Sequence, residues 1–110
     1  MTRRPQGEVQ QVGKLKLSEA IRIGARLRPQ GFGALFRNGE SCAWGAAYEA
    51  ICGYPGHGVF GFSDSHAGRM IGNVLSEYFP GIAADYVYER NDSEHMTREQ
   101  IADWLESQGY

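Results

Sequence analysis

Cysteine is scarce in this chain of 110 residues, which holds only Cys42 and Cys52. On one helix, their separation of ten positions would span roughly 15 Å at ~1.5 Å per residue. A disulfide tolerates about 7 Å between Cα atoms. No disulfide is expected, and a reducing compartment follows. Nor is there a run of ~18 apolar residues, so no membrane span is expected. The opening residues MTRRPQGEVQQ lack the apolar segment of a secretory signal. The cytoplasm is therefore the expected location. Metal-ligand spacing is missing as well. Cys42, Cys52, His57, Asp64 and His66 are the available ligands, but they form no C-x-x-C or H-x-x-x-H pattern. Neither a metal nor any other cofactor is expected.

What is present belongs to a globular chain. A hydrophobic content of 42% with 12% aromatic residues is too apolar for disorder, and the length suits one domain. Residues 1–13 read as a flexible arm and residues 14–110 as a single globular helical domain. Charge is unevenly spread. Residues 1–39 hold eight basic and two acidic residues, whereas residues 40–110 hold three basic and eleven acidic. That asymmetry fits a nucleic-acid-facing end, a head-to-tail self-contact, or two halves folded against each other. The last is the simplest.

Hydrophobic spacing and capping signals predict a mainly α, small α+β domain of four short helices. The first should start at the N-cap Ser18, bury Leu17, Ala20, Ile21, Gly24 and Leu27, and stop before Pro29. Arg22, Arg26 and Arg28 lie off that stripe, solvated or paired with the acidic half. Residues 30–39 read as a loop carrying Phe32, Leu35 and Phe36 as apolar plugs. The second helix, capped by Ser41 and closed by Gly53, buries Ala43, Trp44, Ala47, Ala50 and Ile51 and turns Glu49 away. Its small residues allow a neighbouring helix to come close. A third helix runs from Ser65 to Pro80-Gly81, with Ala67, Met70, Ile71, Val74, Leu75 and Tyr78 at helical spacing. Residues 82–90 alternate as an extended segment, able to pair with residues 9–17 as a minor two-stranded β element. The last helix begins at the capping box Thr97–Gln100 and buries Ile101, Trp104 and Leu105. The second helix is expected at the centre, against the third and the last.

Several motifs bear on chemistry. Cys42, at a helix start, has the position of a thiol nucleophile, because helix N-termini lower a thiol's pKa. Such a site also needs a histidine, and His57 and His66 are the candidates, with His95 as a third. The competing reading is a small buried residue in an alanine-rich helix, with no catalytic residue in the chain. Gly56, Gly58 and Gly61 match G-x-G-x-x-G, but a helix precedes them where a dinucleotide site requires a strand. Met96 to Tyr110 resembles the first helix of a helix-turn-helix unit, with no recognition helix expected after it. Asn91 and Asp92 suit a stiff approach to the last helix, through hydrogen bonds to free backbone amides.

Two stretches together, SCAWGAAYEA and RND…MTREQIADWLE, resemble an uncharacterised family of small bacterial and phage proteins that carries a "domain of unknown function" label. Its marks are a C-A-x-G-A helix and an N-D…T-x-E-x-[IV] end. The likeness covers about residues 15–108. It implies no substrate and no catalytic residue. It does imply that Cys42, Gly45, Asn91, Asp92 and Thr97 form one structural arrangement, with the final helix folded back near the second.

The expected function is a non-enzymatic binding protein, an adaptor or inhibitor of another macromolecule, plausibly in a phage or mobile-element setting. Six Tyr, five Phe and two Trp are available for an interface. Tyr54, Phe60, Phe62, Tyr86 and Tyr88 are the expected contact residues. A protein partner is expected, with a homo-oligomer as an alternative. The competing functions are a cysteine-dependent hydrolase built on Cys42 with His57 or His66, and a weak nucleic-acid binder using the basic first half.

Overall fold

The structure, a computed structural model, describes residues 15–53 and 66–110. The expected arm at residues 1–13 lies outside them. Among the described residues the fold is mainly helical, with α1 (Leu17–Ala25), α2 (Ala43–Cys52), α3 (His66–Tyr78), α4 (Ala84–Tyr88) and α5 (Arg98–Ser107). A π-turn, Glu89–Ser93, continues α4. One antiparallel hairpin joins β1 (Phe36–Arg37) and β2 (Glu40–Ser41).

That sheet is not where the sequence suggested. Leu17 opens α1, and residues 84–88 are helical where a strand was expected, so among the described residues there are five α-helices instead of four, while residues 9–14 of the expected pairing lie outside them. The alternation of Tyr86, Val87 and Tyr88 fits a strand and a short helix equally. The helix prevails because it buries Val87 and Asn91, four residues apart, on one face. The real hairpin turns on Asn38 and Gly39, both at positive φ (56° and 78°), as a two-residue type I′ turn requires.

Helix limits moved for identifiable reasons. Lys16, not Ser18, is the N-cap of α1, and its amide donates to Glu19 Oε1 at 2.8 Å. Ser18 is buried and committed elsewhere, since its amide and hydroxyl both donate to the Tyr110 carbonyl. The helix ends at Ala25, which leaves Leu27 beyond the stripe and 53% exposed. Cys42, not Ser41, caps α2, while Gly53 closes it in the left-handed conformation. Thr97 and Gln100 form the anticipated capping box of α5.

Packing centres on α1 and α2, and α1 is also the main neighbour of α5. The second helix packs mainly on α1, with α3 and α4 beside it, whereas the last helix, expected against α2, lies mainly against α1. Small residues permit the close approach of α1 to α2: a Cβ on Gly24 would overlap the carbonyl of Ala46. Trp44, Leu17, Ile21, Leu35, Leu75, Ile101 and Leu105 fill the core. Phe32 stays 41% exposed, and Met70 and Val74 face outward from α3.

Charge joins the helices. Arg22 of α1 reaches Asp103 and Glu106 of α5 at 2.6 and 2.8 Å, with Glu99 at 3.3 Å. Glu49, expected to face away, is buried and takes the Arg28 fork at 2.8 and 2.9 Å. Such bidentate pairs are strong and directional. The basic first half and acidic second half are thus folded against each other at these points.

Two buried polar side chains complete the frame. Asn91 satisfies all four of its hydrogen-bonding positions. Its carbonyl oxygen accepts from Gln30 Nε2 and Ala43 N, and its amide donates to Gly31 O and Asp92 Oδ1. Arg98 donates to the Ser41 carbonyl and hydroxyl through Nη1 and to the carbonyls of Ala25 and Arg28 through Nη2.

Two substitutions test this packing. Gly→Ala inside a helix ordinarily stabilises by ~0.5–1 kcal/mol, yet Gly24→Ala is expected to cost about 1–3 kcal/mol through overlap with α2. Urea unfolding reads the sign, and a gain would contradict the close approach. Asn91→Asp keeps the shape but turns the donor facing Gly31 O and Asp92 into an acceptor. It should destabilise by about 2 kcal/mol or more, while a neutral result would remove the clamp assigned to this amide.

Candidate functional site

Cys42 takes the helix-start position that the sequence suggested, with the opposite chemistry. Its Sγ accepts from Gly45 N at 3.4 Å, so the thiol serves as the cap of α2. The side chain is fully enclosed, at 0% exposure. Burial pushes the thiol pKa up to about 12, outweighing the backbone N–H groups of Gly45 and Trp44 that favour the thiolate. A reactive cysteine needs both access and a depressed pKa, and here it has neither. His57 lies outside the described residues. For His66 the structure describes the backbone, at the start of α3. His95 is exposed, at positive φ, with its ring 4.8 Å from that of Phe32.

Asn91 and Asp92 act on the structure around them. Besides the bonds of Asn91, Asp92 Oδ1 accepts from Gly33 N at 3.0 Å and holds the loop before β1. These are free backbone amides, as expected, but they belong to segments 59 and 48 residues away.

An open cleft of about 280 Å³ lies between the α4–π-turn stretch and α5. Tyr86 and Arg90 come from one side and Trp104 and Gln108 from the other, each pair spaced four residues apart. Ile82 and Tyr110 close the end. The Arg90 guanidinium lies 3.7 Å from the centroid of the Trp104 ring, a cation–π arrangement. Its Nη1 donates to the Tyr86 carbonyl at 3.2 Å. Among the described residues neither Nε nor Nη2 has a partner, and no Asp or Glu side chain lines the cleft. Tyr110 is fastened at two points, by Ser18 at its carbonyl and by a 2.9 Å bond from its hydroxyl to Gly81 O. The π-turn matters here. Its longer hydrogen bond, Glu94 N to Glu89 O, spans the stretch in which Asn91 enters the core while its neighbour Arg90 lines the cleft.

Of the expected contact residues, Tyr86 is 56% exposed and lines this cleft. Tyr88 turns inward, its ring edge-on to Trp44 at 6.4 Å, and burial raises its pKa. Tyr54, Phe60 and Phe62 lie outside the described residues. Arg90, Trp104 and Tyr110 were missed as site residues. The four-residue spacing of Tyr86 with Arg90 would have pointed to them, had residues 84–90 been read as a helix.

Among the described residues no helix is long and apolar enough to cross a membrane, and no cluster of metal-ligating side chains occurs. Compared with models of protein families, with curated proteins and with solved structures, the chain matches none.

The state of Cys42 has two measurable consequences. In the folded protein iodoacetamide should leave Cys42 unmodified, with labelling only as the chain unfolds, read by peptide mass spectrometry. Fast labelling at neutral pH would contradict the enclosed thiol. The unfolded chain releases the thiol proton near its ordinary 9.0, whereas the folded chain keeps it to about 12. Stability should therefore fall as pH rises through that interval. Cys42→Ala should make the alkaline fall shallower, whatever the substitution costs at neutral pH.

Proposed function

We propose that the protein is a non-enzymatic binding protein, an adaptor or inhibitor of another protein, and that its contact surface is built on the Tyr86–Arg90–Trp104 cleft. The observation that carries this reading is the pairing of an exposed Tyr86 with a guanidinium stacked on Trp104. Tyr, Trp and Arg dominate the energetics of protein interfaces, because they combine large contact area with polar groups that fix orientation. The enclosed thiol of Cys42 supports the same reading from the other direction, since a hydrolase needs a nucleophile that a substrate can reach. Nucleic-acid binding through the first half is weakened by the carboxylates already held by Arg22 and Arg28. The resemblance extends the reading to the cytoplasm of a bacterial host, in a phage or mobile-element setting.

The test is comparative capture from bacterial lysate with the tagged protein, quantified by mass spectrometry. Tyr86→Ala should lower recovery of the specific partner roughly thirtyfold, the scale of an interface hot spot. Glu77→Ala, exposed on α3, should leave it unchanged. Equal recovery with both variants would remove this cleft from the contact surface.

A further inference from the structure

We infer that the cleft between α4 and α5 is selective for a carboxylate carried next to a flat ring, as in an acidic–aromatic segment of a partner protein. This rests on the binding-protein reading above and names the chemistry of its ligand.

The structure supplies a reference for the recognition element. Arg28 uses Nε and Nη2 together on the two carboxylate oxygens of Glu49, at 2.8 and 2.9 Å. Arg90 has the same pair of donors without a partner among the described residues, because its Nη1 is the group taken by the Tyr86 carbonyl. Stacking on Trp104 and the bond to Tyr86 fix the plane of the guanidinium before any ligand arrives. A carboxylate approaching in that plane would find two preset donors, and pre-ordering of this kind reduces the entropy lost on binding.

The walls choose the rest of the ligand. Tyr86 and Tyr110 stand around Arg90 and Trp104, with Ile82 as an aliphatic side. A single ring can lie along these surfaces, and about 280 Å³ holds one ring with its carboxylate. Among the described residues no acidic side chain lines the cleft to repel the anion. Positive charge is local here, on a chain whose net charge is −2, so attraction to the ligand must come from Arg90 at short range.

The carboxylate could be the end of a chain or an aspartate within one, and the probes separate these sources. N-acetylphenylalanine stands for the first, acetyl-Asp-Phe-amide for the second, and N-acetylphenylalaninamide is the uncharged control. The readout is the pair of tryptophan indole N–H signals in the NMR spectrum of the full chain. The Trp104 signal should shift saturably with at least one of the acids, while that of enclosed Trp44 stays in place. Binding should weaken about tenfold or more with the control amide, the scale of a lost charge-assisted pair. Arg90→Gln should lose the same preference, and the acid–amide comparison on the unaltered protein holds even if that variant is unstable. Equal binding of both acids and the amide, no movement of the Trp104 signal, or a shift confined to Trp44 would each overturn the inference. Acid-selective binding with Tyr86-independent capture would support the ligand chemistry while removing the cleft from the protein contact surface. Tyr86-dependent capture without acid selectivity would do the reverse.

Discussion

The four hydrogen bonds of the Asn91 side chain are the constraint on which the rest of the structure depends. They tie together segments far apart in sequence: Gln30 and Gly31 before the hairpin, the first residue of α2, and the π-turn that carries Asn91 itself. A buried amide is tolerated only when each donor and acceptor is matched, and here each one is. Because its oxygen meets the first amide of α2, the amide also helps to set where that helix begins. Neighbouring Asp92 extends the clamp to Gly33.

Arg98 performs the corresponding task at the other end of the loop. Its guanidinium is buried without a carboxylate among its partners, and burial pulls its pKa down. It remains charged because an arginine starts so far above neutral pH. What compensates the charge is a set of backbone carbonyls, including that of Ala25 at the negative end of the α1 dipole. The first turn of α5 is thereby fastened to the end of α1 and to Ser41. Surface pairs such as Arg22 with Asp103 and Glu106 add little by comparison, since exposed ion pairs are worth about 0–1 kcal/mol.

The cleft is a by-product of this internal bonding. Asn91 must enter the core, so the preceding residue, Arg90, is presented to the groove beside α5. Tyr110 and Ser18 then close the far side by joining the end of α5 to the start of α1. Scaffold and cleft thus share one short stretch, Tyr86 to Asp92, read from its two sides. The closed thiol of Cys42 belongs to the scaffold side. Enclosure makes it a cap for α2 and removes it from solvent.

The parts readable in advance were those governed by short-range rules. The capping box at Thr97, the glycine close of α2, the helical spacing that buries Ile71 and Leu75, and the small residues that let α1 approach α2 all follow from neighbours within a few positions. The Asn38-Gly39 turn was equally local and was passed over. Where reading failed, the deciding partner was distant. Glu49 is buried because Arg28 is there to pair with it, and Ser18 left its capping role because Tyr110 claims its donors. Residues 84–90 became helical because Val87 and Asn91 had a core to enter. By itself, then, the sequence determined the main helices, most of the core stripes and a compact domain of mixed charge, since these depend on backbone geometry and side-chain periodicity. Only the tertiary structure decided that Cys42 is sealed, that Asn91 is a junction and that Arg90 lies on Trp104. Each of those depends on groups far apart in the chain whose meeting no local pattern encodes.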